Sequence, residues 1–195
     1  LHGVYAQMSK TDEYENLFKQ TATAGLDTDP INIRSTATDG DSLMVYGVQF
    51  NRDLVLFATN NAQFLINGRA TVTPDNASMV LTSEFEADLA TRPQAVGENI
   101  MFLSYTGKYS SLHEMYLTGD QSTHARRTVS DHVPQYVRGK AGIFTANDGA
   151  NTAIIVAADK RTVFVYEYLW QDDRRVQSAW STWTYSAEVM SAHIE

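Results

Sequence analysis

The chain contains no cysteine among its 195 residues. That removes disulfide cross-links, thiolate nucleophiles and Cys-ligated zinc, and it leaves packing or assembly as the source of stability without fixing the redox compartment. Positive charge is also scarce: Lys and Arg total 15 against 23 Asp and Glu, a formal net charge of −8. Broad attraction to phosphate backbones or anionic lipid is therefore disfavoured. The basic doublets Arg126-Arg127 and Arg174-Arg175 read as solvated or ion-paired side chains rather than as a nucleic-acid track. No uninterrupted apolar run approaches the roughly 20 residues that a bilayer-spanning helix needs, and the amino end lacks the charged-then-apolar profile of a signal peptide. Leu1 in place of methionine, with the strand-like alternation of LHGVYAQMS behind it, predicts an internal piece of a longer chain.

What is present is hydrophobic content, 43% of the residues, enough for a sizeable core. It is arranged with period two. Alternating, β-branched and aromatic runs occupy 43–50, 53–59, 62–68, 99–106, 113–117, 142–146, 152–159, 162–170 and 176–185, the pattern of half-buried strands. Turn formers separate them: Asp39-Gly40-Asp41, Asn60-Asn61, Asn67-Gly68, Thr106-Gly107, Asn147-Asp148-Gly149 and Asp172-Asp173, which predicts antiparallel hairpins. Helical periodicity is weak throughout, and only 83–92 and 122–132 have the composition to turn once or twice. Apolar strand, tight turn and second strand recur from Leu54, Ile100 and Ile154, at roughly the 40–50-residue period of propeller blades. The expected fold is mainly β, with antiparallel hairpins as blades of a β-propeller-like domain over 43–72, 95–120 and 141–185. A sandwich of hairpins gives much the same pattern. Three blades also cannot close a ring of about four to eight, so on the propeller reading the domain is incomplete in this chain.

The densest aromatic stretch is VQSAWSTWTY at 176–185. Across the Asp172-Asp173 turn, Phe164, Tyr166, Tyr168 and Trp170 share one face of the preceding strand by alternation. Trp180 and Trp183 differ by an odd number of positions, so a regular strand sends them to opposite faces and builds no flat stacking platform. Packing in the core or between subunits is the expected use of these rings, each of which buries about 150–250 Å².

The familiar chemical motifs fail on a specific position. His113-Glu114 begins the H-E-x-x-H zinc signature, but the second imidazole is replaced by Leu117. Gly107-Lys108 lacks the rest of a phosphate loop, with Phe102 where the first glycine belongs and Tyr109 where Ser or Thr would hold magnesium. Asp27, Asp29, Asp39 and Asp41 cluster without the glycine and terminal glutamate of a calcium loop. No G-x-S-x-G elbow is present. Glu84 and Glu86 share a face only if that segment is a strand, so a glycosidase pair there has no independent support. Asn76-Ala77-Ser78 fits the glycosylation triplet, which is common by chance. No catalytic, cofactor or metal residue is assigned, and the chain is expected not to be an enzyme.

The order of several phrases is more specific than any motif. MSKTDEYENLF (8–18), DTDPINI (27–33), VQFNRDLVLFATNNAQFLING (48–68), RPQAVGENIMFLS (92–104), DHVPQYV (131–137) and YLWQDDRRVQSAWSTWTY (168–185) occur in sequence. Together they resemble the tail tubular protein B, or tail nozzle, family of short-tailed bacteriophages, from about Val4 to Tyr185. The resemblance implies a β-rich, propeller-containing virion subunit, made in the host cytoplasm, that assembles as a homo-hexamer around the channel for genome ejection. It implies contacts with the tail adaptor and with tail fibre proteins, and DNA that passes without specific binding. The residues that match are Tyr14 and Asn16; Asp29 and Pro30; Asn51 and Asp53; Gln63 and Phe64; His132, Pro134 and Tyr136; and Trp170, Gln177, Trp180 and Trp183. Their expected roles are architectural. A β-structured tail protein that binds or hydrolyses glycans is the alternative, prompted by the aromatics and the acidic pairs.

Overall fold

A computed structural model describes residues 5–18, 26–34, 42–68, 71–118, 124–171 and 174–194, with the side chains of 170, 171 and 174 left aside. The described residues form fourteen strands and no helix. They divide into two compact units, Leu1–Glu86 and Ala87–Glu195.

In the first unit, β1 (Tyr5–Met8) and β2 (Ile31–Arg34) pair as a two-stranded antiparallel ladder. A four-stranded sheet follows, with β3 (Met44–Phe50), β4 (Asp53–Ala58), β5 (Gln63–Ile66) and β6 (Met79–Ser83) in chain order, each antiparallel to the next. Strand β4 is apolar along most of its length and Val55, Leu56 and Phe57 are all fully buried, as a strand covered on both faces requires. The β3–β4 turn needs a residue that tolerates positive φ, and Asn51 (φ 55°) supplies it. The core joins Leu56, Phe64, Ile66 and Met79 to Ala6, Ile31 and Ile33 of the ladder.

The second unit holds two more meanders. One runs β7 (Gln94–Val96), β8 (Asn99–Tyr105), β9 (Ser110–Leu117), β10 (His124–Thr128); the other runs β11 (Ala141–Asn147), β12 (Thr152–Ala157), β13 (Thr162–Gln171), β14 (Arg174–Thr184). Their facing sides share one core, in which Met101, Leu103 and Leu112 of the first sheet join Ile155, Phe164 and Tyr166 of the second. On the opposite side of the β11–β14 sheet, Val156, Val163 and Val165 pack with Val189 and Ala192 of the chain's last described segment.

All three four-stranded sheets have the sequential, antiparallel order that propeller blades use. The expected spans 43–72, 95–120 and 141–185 each fall within one such sheet, while β6 and β10 lie beyond those spans. The stretches 83–92 and 122–132 are not helical among the described residues: His124–Thr128 is the edge strand β10, its alternation hidden by Arg126 and Arg127, both solvent-exposed. The Asp39-Gly40-Asp41 and Asp172-Asp173 turns lie outside the described residues.

Candidate functional site

The feature that stands out chemically is the interior of the second unit. Strand β13 brings Phe164, Tyr166 and Tyr168 to the shared core by alternation, and β14 adds Trp180. Trp180 lies 4.8 Å from Tyr166 and 5.9 Å from Tyr136, centroid to centroid, and Tyr166 stacks on Tyr168 at 5.5 Å. Tyr136 is held in turn by Phe164 at 5.8 Å and by the Thr182 hydroxyl, which donates to its phenol oxygen at 2.8 Å. Trp183 pairs with Val163 on the other side of the sheet and is 48% exposed. The two tryptophans thus face opposite ways. A bulge between Leu169 and Trp170 interrupts the alternation at the end of β13, and the Trp170 side chain lies outside the described residues.

Beside these rings sits Glu114, only 1% exposed, on β9. Its carboxylate accepts from Asn99 Nδ2 at 2.8 Å, from Arg127 Nε and Nη2 at 2.9 and 2.7 Å, and from Arg175 Nη2 at 2.8 Å. The last bond crosses from β14 to β9 and ties the two sheets. Arg175 also lies over the rings of Tyr168 and Tyr166, at 5.2 and 5.9 Å, and Arg127 over Tyr116 at 5.3 Å. Cation–π contact and charge pairing offset the desolvation of a carboxylate that could not otherwise stay ionised there. Burial pushes the Tyr168 phenol up to about 12, aided by the negative charges of Asp148 and Glu114, so it stays protonated. The ensemble is a cross-sheet clamp.

The neighbouring His113 points to the other face of β9. Its Nε2 lies 2.6 Å from Ser104 Oγ and its Nδ1 lies 3.1 Å from Thr128 Oγ1. Hydroxyl-to-imidazole contact at this distance is also how a nucleophile meets its base. Here Ser104 and His113 are 4% and 5% exposed, and a hydroxyl stands where a carboxylate orients the base in a triad. Burial, with the charge of Arg126 as the lesser cause, pushes the imidazole down to about 4. A neutral ring bridging two hydroxyls satisfies buried polar groups and has no access to a substrate. Reading along the chain missed this trio because Phe102, not Ser104, pairs directly with His113.

The matching residues of the first unit separate into two sets. Asn51, Asp53, Gln63 and Phe64 hold its sheet. Phe64 is fully buried, Asp53 Oδ1 accepts from the Gly68 amide at 2.9 Å, and Gln63 makes the longest-reaching contacts. Its Nε2 donates to the carbonyls of Asn61 and Phe85 at 2.8 and 2.9 Å, and its Oε1 accepts from Phe85 N and Ser83 Oγ at 2.8 and 2.9 Å. This amide replaces ladder bonds lost at the β5–β6 register shift beside it. Glu84 and Glu86 flank Phe85 in a non-regular, exposed stretch, so they share no strand face.

Tyr14 and Asn16 occupy the turn after β1, where Asn16 Oδ1 accepts from Phe18 N at 3.0 Å. Pro30 and Asp29 are buried, Asp29 Oδ2 accepting from the Leu26 amide at 3.0 Å, so Asp29 closes a local turn. His132, Pro134 and Gln177 are exposed.

The sequence profile of the bacteriophage nozzle protein family matches residues 4–195. The chain belongs to that family. A tail tubular protein, gp12, of Escherichia phage T7 is 26% identical to this nozzle-family chain over 193 residues, covering 97% of the chain and 24% of that protein. The chain therefore spans about a quarter of the length of this relative. Among the described residues of the nozzle chain, no helix is long and apolar enough to cross a membrane.

Proposed function

We propose that this chain is a structural wall segment of a phage tail nozzle, one copy of which joins five others in a hexameric ring around the channel for genome ejection. The match to the nozzle family over residues 4–195 carries the reading, and it places the protein's work in the virion tail. The three four-stranded meanders are read as blades of a propeller whose remaining blades belong to the longer polypeptide. The buried cross-sheet clamp at Glu114 suits a part that bears load: Arg175 and Glu114 link two sheets that would otherwise be held by non-directional apolar contact. A tail adaptor and tail fibre proteins are the proposed neighbours of the assembled ring.

The formal charge of −8 fits a conduit that must not hold its cargo. Each phosphate neutralised by a cation adds to binding, whereas an acidic wall repels the polymer within a Debye length of about 8–10 Å. The role is structural, without chemistry. Opposed placement of Trp180 and Trp183 favours it over glycan stacking, since the two rings build no common platform. Electron microscopy of the polypeptide at the length of its relative tests the proposal: six-fold rings with a central channel are expected, and a monodisperse monomer overturns it. A channel lined by Lys and Arg would overturn the acidic-wall part alone.

A further inference from the structure

The most anomalous surface lies in the turn between β1 and β2. Tyr14 is 88% exposed, Phe18 84% and Leu17 49%. Large apolar side chains standing this far into water in one short stretch mark an interaction site. The turn is nonetheless well built. Lys10 N donates to the Asn16 carbonyl at 2.9 Å, Glu13 N to the Lys10 carbonyl at 3.1 Å, and the Lys10 ammonium pairs with Glu13 at 2.8 Å. Its rings are therefore displayed on a preformed scaffold, which lowers the ordering cost of binding. Asp12, Glu13 and Glu15 surround Tyr14, so the knob is aromatic at its tip and acidic at its base.

The second unit carries a surface of opposite character. A pocket of about 400 Å³ opens beside Tyr136 and Phe164, with Gln135, Arg138, Thr162 and Thr182 on its walls. Its volume falls in the range, about 300–1,000 Å³, that accepts a compact apolar group. Cations gather at its mouth. Gly139 N donates to the Lys108 carbonyl at 2.9 Å, which places Lys108 next to Arg138, and Arg161 follows the lining residue Asp159 by two positions. Among the described residues no ion pair engages Arg138, Lys108 or Arg161, whereas Lys160 pairs loosely with Glu188 at 3.7 Å. Asp159 opposes them with one charge, already accepting from the amides of Arg161 and Thr162 and from the Thr162 hydroxyl.

We infer that the acidic aromatic knob of one copy docks into the cation-rimmed pocket of a second copy of this chain. The inference rests on the nozzle-assembly reading and names the surfaces that would execute it. Knob and pocket are different patches of one chain, so the contact is head-to-tail, the type that closes into rings rather than stopping at a symmetric dimer. Charge complementarity selects this occupant: an acidic knob meets a cationic rim in a chain that is otherwise strongly acidic. Tyr14 or Phe18 would be the central anchor, and Arg138 its charged partner at the edge.

The absence of native cysteine makes the test clean. A Tyr14→Cys copy mixed with a Gln135→Cys copy should form a disulfide-linked heterodimer under mild oxidation at least tenfold faster than a Tyr14→Cys copy mixed with an Asp75→Cys copy. A second measurement uses sedimentation. The double variant Tyr14→Ala, Phe18→Ala and the single variant Arg138→Glu should each lose self-association at least tenfold. Mixed together they should stop at a heterodimer, because only one knob and one pocket remain intact. Combining Arg138→Glu with Glu15→Arg should restore part of the loss. Cross-linking no faster than the control, or variants that associate like the parent, would overturn the docking. If the parent rings survive these substitutions, the docking falls while the nozzle reading stands; a parent that stays monomeric removes both.

Discussion

Trp180 and Tyr166 lie 4.8 Å apart between ring centroids, on adjacent strands whose backbones pair them directly. Trp183, one alternation out of phase, is half exposed on the other face. The same residue type in one strand thus serves two different surfaces. Trp180→Ala removes a core ring and should destabilise the chain by about 3 kcal/mol, while Trp183→Ala should cost under about 1 kcal/mol. Urea denaturation of the two variants checks this, and equal losses would contradict the assignment of faces.

The Glu114 carboxylate holds two guanidinium groups of unequal exposure, Arg127 at 42% and Arg175 at 13%. Glu114→Gln leaves a buried cation without its counter-charge, which should cost about 3 kcal/mol. Arg127→Ala should cost about 1 kcal/mol or less, because its charge is largely screened by water. Denaturation midpoints at matched ionic strength decide it; a larger loss for Arg127→Ala than for Glu114→Gln would place the clamp elsewhere.

His113 gives the chain a defined acid sensitivity. Its folded pKa is pushed down from 6.5 to about 4. Between those values the unfolded chain binds the proton that the folded chain refuses, so stability falls as pH drops from 6.5 toward 4 and levels off below. The total from this group is about 3 kcal/mol. Unfolding free energies at pH 7, 5 and 4 should show that slope, and His113→Gln should flatten it. An unchanged slope in the variant would assign the effect to other groups.

Gln63 is fully buried and makes four hydrogen bonds to the β5–β6 connection and its flanks. Gln63→Met keeps length and volume but strands the Phe85 amide and carbonyl, which should cost about 3 kcal/mol. Hydrogen exchange should quicken at Phe85 in the variant. Unaltered protection there would mean that the backbone finds other partners.

Much of the strand content was legible because the central strands carry strong signals. β4, β8, β12 and β13 are β-branched or aromatic runs bounded by Asn, Asp and Gly turns, and such runs can bury both faces only inside a sheet. The strands that reading missed, β6 and β10 among them, are edge strands: Val80 and Leu81 face solvent, and β10 reads His-Ala-Arg-Arg-Thr with its charges outward. An edge strand is fixed by its neighbour's unpaired backbone groups, which leave little trace in its own side chains. The clamp was equally hidden, since Glu114 and Arg175 are 61 residues apart.

Alternation along β14 was enough to send Trp180 and Trp183 to opposite faces, because side-chain direction in a strand follows from backbone geometry alone. The ordered phrases were enough to point to a nozzle, because they are a property of the chain as written. Only tertiary structure decided that Glu114 stays charged in a core and that His113 resists protonation. It also decided that Gln63 stands in for backbone bonds. Each of those depends on which distant groups exclude water or donate protons at one point in space, and spacing along the chain does not encode that.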